Sequence, residues 1–298
     1  MKIWARIKKE YLGVLYIMPV ILGLLIFTFV PMVKSLWNSF HDIDIFGDAT
    51  NFGVQNYTRM FTESRTEFWN SLKMTLIFAV VSVPINMVLS FMLAFLLNKE
   101  RRGTKLARVF CYAPVVIPTV VSGFLWRTIT TSETGYLNLV FKALGGKGYS
   151  FFDKVETAFF SFILVGIFGI GGGMVIWLSQ LKNIPNSLYE SADLEGASGF
   201  VKLIRITIPM CTPTIFFNLI MNIIGSFQVF DLAYMFRNPL NDKALNFFGV
   251  YIYEQAFGTV GQMGYASALS WVLFFVIATL SMIVFKTNKW VYYGEDFD

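Results

Sequence analysis

The sequence predicts an all-α integral membrane protein with six transmembrane helices, and three observations lead to that fold class. Of its 298 residues, 55% are hydrophobic and only 14% are charged, whereas a soluble domain carries about a quarter charged residues. Six apolar runs each reach the length of about 20 residues that a helix needs to cross a bilayer. The basic residues lie between these runs rather than along one stripe, which argues against a nucleic-acid-binding surface despite the net charge of +5.

The six runs, called spans one to six below, are expected to be helices because a backbone in lipid must satisfy its own hydrogen bonds. Span one is longer than the apolar region of a signal peptide, and no small-residue cleavage site follows it, so we expect it to stay as an anchor. The spans are predicted over Leu12–Val33, Leu72–Leu97, Ala107–Ile129, Ala158–Leu181, Pro209–Met235 and Gly264–Phe285.

Lysine and arginine residues near the span ends predict the orientation. They concentrate before span one, between spans two and three, after span four and after span six, so both termini are expected in the cytoplasm. The residues concerned are Lys2, Arg6, Lys8, Lys9, Lys99, Arg101, Arg102, Lys105, Arg108, Lys182, Lys202, Arg205, Lys286 and Lys289.

The cytoplasmic loop at 182–208 carries helix signals of its own. Pro185 is expected to end the preceding helix, and Ser187 with Glu190 makes an S-x-x-E pattern that predicts a capping box at the start of a new one. Pro209 suits the start of span five, where its missing N–H costs nothing.

Two short helices at an angle are therefore expected in this loop, the first ended by Gly196 and the second containing Phe200, Leu203 and Ile204. Together they would form a cytoplasmic knob with small residues and a polar rim. Such a knob can dock in a cleft of another protein, but a capped surface loop that binds nothing fits the spacing as well.

Residues 189–213, YESADLEGASGFVKLIRITIPMCTP, resemble the E-A-A-x-x-x-G loop of permease subunits of bacterial ABC importers. The family pattern is E-A-A-x-x-D-G-A, followed at a fixed distance by I-T-L-P and another proline. Ser191 stands for one of the two alanines, and Glu195 stands for the aspartate, which is one methylene shorter. The matching residues are Glu190, Ala192, Gly196, Ala197, Ile206, Thr207, Pro209 and Pro213.

Three further segments resemble carbohydrate permeases of this kind. They are NFGVQNYTRMFTESRTEFWNSLKMTLIF at 51–78, SFQVFDLAYMF at 226–236 and GYASALSWVLFF at 264–275, so the resemblance covers nearly the whole chain after Val30. One departure follows span five, where those permeases often read T-x-G-G-P and this chain reads Phe236-Arg237-Asn238-Pro239.

The chain thus resembles the binding-protein-dependent transport system inner membrane component family, of the maltose, glycerol-phosphate and multiple-sugar type. The resemblance implies the type I importer (MetI-like) permease fold with a cytoplasmic coupling helix, in a bacterial inner membrane. It also implies three kinds of partner, which are a second permease subunit, two ATP-binding subunits and an extracellular solute-binding (lipo)protein. The coupling residues would be Glu190, Ser191, Ala192, Asp193, Glu195, Gly196 and Ala197.

On this basis the chain is expected to have three parts. Residues 1–69 would hold a cytoplasmic stub, span one and an outer loop, residues 70–286 a five-helix core, and residues 287–298 a cytoplasmic tail.

The residues themselves predict no enzyme. No G-x-x-x-x-G-K-[ST] loop is present, and the closest stretch, 145–148, lacks the hydroxyl residue. One histidine, His41 in a predicted outer loop, leaves few candidates for acid–base catalysis, and no metal-ligand cluster is evident. We therefore expect no cofactor on this chain, with ATP and Mg²⁺ used by partner subunits.

Polar residues inside the spans are the candidates for a substrate path, because such residues usually face a bundle interior or a cavity. Asn218 and Asn222 are four apart and share a helix face. Hydrogen-bonding groups beside aromatic rings suit a sugar, although Asn and Ser can equally bond helix to helix. The candidates are Asn218, Asn222, Ser226, Gln228, Asp231, Ser267, Ser270 and Trp271, with Pro84 and Asn86 in span two.

Two other functions stay open. A stand-alone secondary transporter or channel would need intramembrane charge pairs or ion-coordinating helix breaks, which are scarce in this sequence. A permease for peptides, amino acids or phosphonates shares the loop around Glu190. The sugar-type segments favour a carbohydrate over these solutes.

Overall fold

A computed structural model describes residues 14–44, 47, 49–259 and 261–292. The chain divides into two compact units, the first from Met1–Arg65 and Ile252–Phe274 and the second from Thr66–Tyr251 and Phe275–Asp298. The predicted N-terminal stub, the first two residues of predicted span one and the end of the predicted tail lie outside the described residues. The predicted three-part organisation stays a prediction.

Four described helices are long and apolar enough to cross a membrane, and two bent helix pairs raise the number to six. The four helices are span one at Val14–Ser39, span two at Arg65–Asn98, span five at Thr212–Phe236 and span six at Met263–Lys286. The bent pairs are span three, Thr104–Val116 with Thr119–Thr130, and span four, Val155–Ile167 with Gly171–Asn183. The predicted number and order of spans are confirmed.

Shorter elements connect the spans. One antiparallel hairpin pairs β1 (His41–Ile43) with β2 (Ala49–Phe52), in the register His41↔Phe52 and Ile43↔Ala49. The connecting helices are α1 (Gln55–Arg59), α2 (Tyr136–Ala143), α3 (Asn186–Leu194), α4 (Gly199–Lys202), α5 (Asp242–Leu245) and α6 (Phe248–Phe257). A π turn at Leu203–Thr207 and one helical turn at Ile208–Met210 follow α4, and a 3₁₀ turn at Asn288–Trp290 follows span six.

Span one ends at Ser39 rather than at the predicted Val33, because polar residues continue the helix beyond the apolar run. Its helix tolerates Pro31 because a π turn at Leu25–Phe29 comes just before. A π turn shifts the hydrogen-bonding ladder by one residue, so the missing N–H of a proline is accommodated without a break.

Span three differs from the single helix predicted over Ala107–Ile129, since its two halves meet at an angle of 99°. Ile117 and Pro118 are both extended, with ψ near 128° and 137°. The proline ring disfavours the helical conformation in the residue before it and supplies no N–H to the ladder. The prediction of a continuous third helix is therefore wrong, whereas the bend in span four, at 45°, is milder.

Span five begins at Thr212, three residues after the predicted start, because Cys211 ends the short turn that contains Pro209. Its helix is interrupted between Phe227 and Asp231, and the chain then resumes a helical course to Phe236.

Two apolar clusters of described residues lie in the core of the second unit. One surrounds Phe162, Phe236 and Phe247, and the rings of Phe152 and Phe236 stack with centroids 4.2 Å apart. The other surrounds Trp177, which is almost fully buried against spans two and five. These clusters show which helices pack against one another, which the apolar runs of the sequence alone do not indicate.

Gly171 of span four serves close helix packing. A Cβ atom on Gly171 would lie 2.1 Å from the carbonyl oxygen of Cys111 in span three, so any side chain there would force the helices apart. A small residue at this position therefore lets the two spans approach each other closely.

Candidate functional site

The loop between spans four and five folds as the two-helix knob that the sequence predicts. Helix α3 is followed by Gly196, whose φ of +75° lies in the left-handed region that favours glycine. Its N–H bonds to the carbonyl of Asp193, and the Ala197 N–H bonds to that of Ala192, which closes the end of α3. We call residues 184–210 the elbow.

The predicted capping box at Ser187 and Glu190 is wrong. Helix α3 begins at Asn186, Pro185 occupies the capping position, and no side chain caps the described helix start. The extended Ile184–Pro185 segment lets the helix begin two residues earlier than the S-x-x-E pattern requires, which places Ser187 inside the first turn.

The elbow presents large apolar side chains together with carboxylates. Leu194 is 91% exposed and Phe200 is 73% exposed, beside the carboxylates of Glu190, Asp193 and Glu195. Of the predicted coupling residues, Glu190, Ser191, Asp193, Glu195 and Gly196 are exposed, while Ala192 and Ala197 are half-buried. Exposed apolar patches rimmed by polar residues are typical of protein interaction surfaces.

Contacts within the elbow hold its two helices together. The hydroxyls of Tyr189 and Thr207 are 2.8 Å apart and hydrogen-bonded, and Lys202 forms an ion pair with Asp193. Tyr189 also packs against the Trp177 cluster. These contacts make α3 and α4 one body rather than two independent turns.

A cavity of about 390 Å³ lies among spans two, four and five of the second unit. That volume is in the range of small-molecule sites, about 300–1,000 Å³. All fifteen described residues that line it are uncharged. They are Phe78, Ser82, Val83, Asn86, Ser90, Gly169, Ile170, Gly173, Ile176, Asn218, Met221, Asn222, Gly225, Ser226 and Val229.

The structure brings four of the predicted path residues together in one cavity. Asn86, Asn218, Asn222 and Ser226 line it, whereas Pro84 does not belong to the described lining. Gln228 and Asp231 are exposed at the interruption of span five and do not belong to the described lining. Ser267, Ser270 and Trp271 lie in the part of span six that belongs to the first unit, whereas the lining comes from the second.

Sequence reasoning missed two residues of span two, Ser82 and Ser90, which flank Asn86 in the lining. The three positions are spaced four apart, so they share one helix face. That pattern was present in the sequence and could have indicated them. Ser90 also accepts a hydrogen bond from the indole N–H of Trp177 at 3.0 Å, which fixes span four against this face.

The two asparagines bond along their own helix. The Asn218 amide donates to the Thr214 carbonyl at 2.9 Å, and the Asn222 amide donates to the Asn218 carbonyl at 2.8 Å. These bonds run within span five, so they do not supply the helix-to-helix contact that the packing alternative requires.

The segment that departs from T-x-G-G-P forms a hydrogen-bonded turn after span five. Buried Asn241 donates to the carbonyls of Phe152 and Phe236, and Asn238 donates to Phe152 as well. Arg237 forms an ion pair with Asp242. The turn is therefore ordered although its sequence departs from T-x-G-G-P, because Asn238 and Asn241 both donate to the Phe152 carbonyl.

Comparison with known proteins identifies the family. Residues 86–291 match the family described as binding-protein-dependent transport system inner membrane component. The chain belongs to this family. It is the membrane component of a transport system that depends on a binding protein, as its sequence resemblance predicts.

Relatives share the whole length of the chain. It is 35% identical to the probable ABC transporter permease protein YesP of Bacillus subtilis (strain 168), over 98% of this chain and 96% of that protein. It is 30% identical to the arabinooligosaccharides transport system permease protein AraP of the same organism, over 94% and 89%. A chain in the crystal structure of a bacterial alginate ABC transporter, in complex with alginate pentasaccharide-bound periplasmic protein, has the same fold, with a TM-score of 0.86 at 22% identity over 97% and 98%.

Proposed function

We propose that this chain is a transmembrane subunit of an ATP-driven importer that carries a carbohydrate, an oligosaccharide or related sugar, across the bacterial inner membrane. An extracellular solute-binding protein delivers the sugar to the chain and a second permease subunit. Two ATP-binding subunits on the cytoplasmic side hydrolyse ATP with Mg²⁺, so this chain needs no cofactor.

One observation carries the proposal. The cavity and the elbow are built on the same two helices, since span four supplies Gly173 and Ile176 to the cavity and then enters the elbow, and span five leaves the elbow and supplies Asn218 and Asn222. A partner that grips the elbow can therefore act on the walls of the cavity. Alternating access in this proposal is a rigid-body movement of the spans.

The cavity chemistry supports a sugar. Amide and hydroxyl groups of Asn86, Asn218 and Ser226 can exchange hydrogen bonds with sugar hydroxyls, and the ring of Phe78 offers an apolar surface to C–H faces. Peptides carry terminal charges, and the described lining holds no group that would pair with them. The relative named for arabino-oligosaccharide transport supports the same class of substrate.

The elbow chemistry supports an ATP-binding partner on the cytoplasmic side. A cytoplasmic position of the elbow is supported by Lys182, Lys202 and Arg205 under the positive-inside rule. Its exposed Leu194 and Phe200 would fill a groove of the partner, and Glu190 and Glu195 would meet basic or backbone N–H groups at the rim.

Reconstitution tests the proposal directly. The chain is co-purified with its second permease and ATP-binding subunits, placed in liposomes with ATP inside and binding protein outside, and offered labelled arabino-oligosaccharides, uronate oligosaccharides and oligopeptides. We expect ATP-dependent uptake of a sugar and none by the purified chain alone. ATP-dependent uptake of peptide alone would refute the sugar assignment, and uptake by the chain alone would refute the importer.

A further inference from the structure

A glutamine in the last turn of span four bridges the two ends of the elbow. The Gln180 amide N–H donates to the carbonyl of Met210, at 2.8 Å, and its amide oxygen accepts from the hydroxyl of Thr214, at 3.1 Å. One side chain thus uses a donor and an acceptor to hold the first turns of span five against the end of span four.

The bridge closes the elbow into a loop with a fixed base. Span four ends at Asn183 and span five begins at Thr212. Gln180 lies just before the elbow, and it is bonded to Met210 at the end of the elbow and to Thr214 in the first turn of span five. The neighbouring residues Leu181, Cys211 and Ile215 pack in the Trp177 cluster, and Gln180 and Thr214 are half-buried beside it. A hydrogen bond that is partly shielded from water is stronger than one in open solvent, and leaving its partners unpaired is costly.

Further hydrogen bonds along span five connect Gln180 to the cavity. Thr214, which donates to Gln180, offers its carbonyl to the Asn218 amide, and Asn218 offers its carbonyl to Asn222. Both asparagines line the cavity. A contiguous chain of hydrogen bonds therefore runs from the end of span four, along span five, to the polar wall of the cavity.

We infer that Gln180 is a positioning residue for transport, because it makes a displacement of the elbow move spans four and five together. Without the bridge, the elbow could shift while the cavity walls lag behind, and ATP would be hydrolysed without opening the path. This inference rests on the proposed function. It goes beyond the docking residues of α3, since Gln180 lies outside the elbow.

The test separates hydrolysis from transport in the reconstituted complex. Gln180→Met keeps the length of the side chain and removes both hydrogen bonds, and Thr214→Val keeps the volume and removes the hydroxyl. We expect each to lower the amount of sugar imported per ATP hydrolysed by about tenfold, with ATPase subunits bound and ATP hydrolysed within twofold of wild type. Thr214→Ser, which restores the hydroxyl, is expected to keep the wild-type ratio.

Matched controls and contrary outcomes make the result decisive. Gln55→Met changes an exposed glutamine in α1, and Thr128→Val removes a hydroxyl that donates to the Phe124 carbonyl of its own helix. Both are expected to transport normally. The inference is overturned if Gln180→Met and Thr214→Val keep the wild-type ratio, or if import falls only in proportion to lost ATPase subunits.

The two proposals fail in different ways. A wild-type complex that imports no sugar with ATP refutes the proposed function. If the wild-type complex imports sugar, and the Gln180→Met and Thr214→Val complexes import it equally well per ATP hydrolysed, only the role of Gln180 is refuted. If Gln180→Met does not assemble, the pair Thr214→Val and Thr214→Ser decides, because each changes Thr214 by a single group and neither buries a charge.

Discussion

Replacing Leu194 by alanine should weaken the binding of the ATP-binding subunits more than any comparable change elsewhere. Leu194 is 91% exposed at the end of α3, so nearly all of its side chain is available to a partner groove. Burial is worth about 0.8 kcal/mol per methylene group, and Leu→Ala removes three carbon atoms. The loss of about 2 kcal/mol corresponds to a rise in Kd of about thirtyfold.

The assay is a titration of the detergent-solubilised permease pair with purified ATP-binding subunits. Leu144→Ala is the matched control, because Leu144 is 81% exposed in the loop after α2, which the charge pattern places on the outer side. We expect an unchanged Kd for the control. Equal Kd values for Leu194→Ala and wild type would refute the reasoning that the elbow is the docking surface.

A charge reversal on the same surface examines polar contacts as well. Glu190→Lys should abolish association with the ATPase while leaving the membrane bundle folded, whereas wild-type levels of co-purified ATPase would count against the placement of α3. In the cavity, Asn222→Leu should lower sugar uptake with assembly unchanged, and unaltered uptake kinetics would return Asn222 to a packing role. Gly171→Ala should cost about 1–3 kcal/mol of stability by overpacking against Cys111, seen as a lower Tm in detergent, whereas Gly166→Ala, which meets nothing within 4 Å, should not.

The membrane spans could be predicted from the sequence because lipid imposes a length and a polarity that any helix must meet. Span six, predicted over Gly264–Phe285 and found at Met263–Lys286, shows how well that rule works where nothing interrupts the run. The 99° bend at Pro118 could not be predicted in the same way. Proline occurs inside span two, at Pro84, without breaking the helix, so its presence alone does not decide the geometry.

Some residues of the candidate site could be predicted from the sequence and others could not. Asn218 and Asn222 could be predicted, since their spacing within one helix puts them on one face. Gln180 could not, because it stood in the last turn of an apolar run and its partners, Met210 and Thr214, are about thirty residues away. Contacts between helices depend on packing that no local pattern contains. The capping box predicted at Ser187 is the opposite case. The local pattern was present, but the extended residues before it let the helix begin at Asn186 instead.

Photo-crosslinking in intact cells tests the central claim most directly. A benzophenone amino acid takes the place of Phe200, which is 73% exposed in the elbow, and products formed on illumination are identified by mass spectrometry. The account predicts a product with a subunit that carries a G-x-x-x-x-G-K-[ST] phosphate-binding loop. A product with the extracellular binding protein instead would show that the elbow faces outward and would contradict the account.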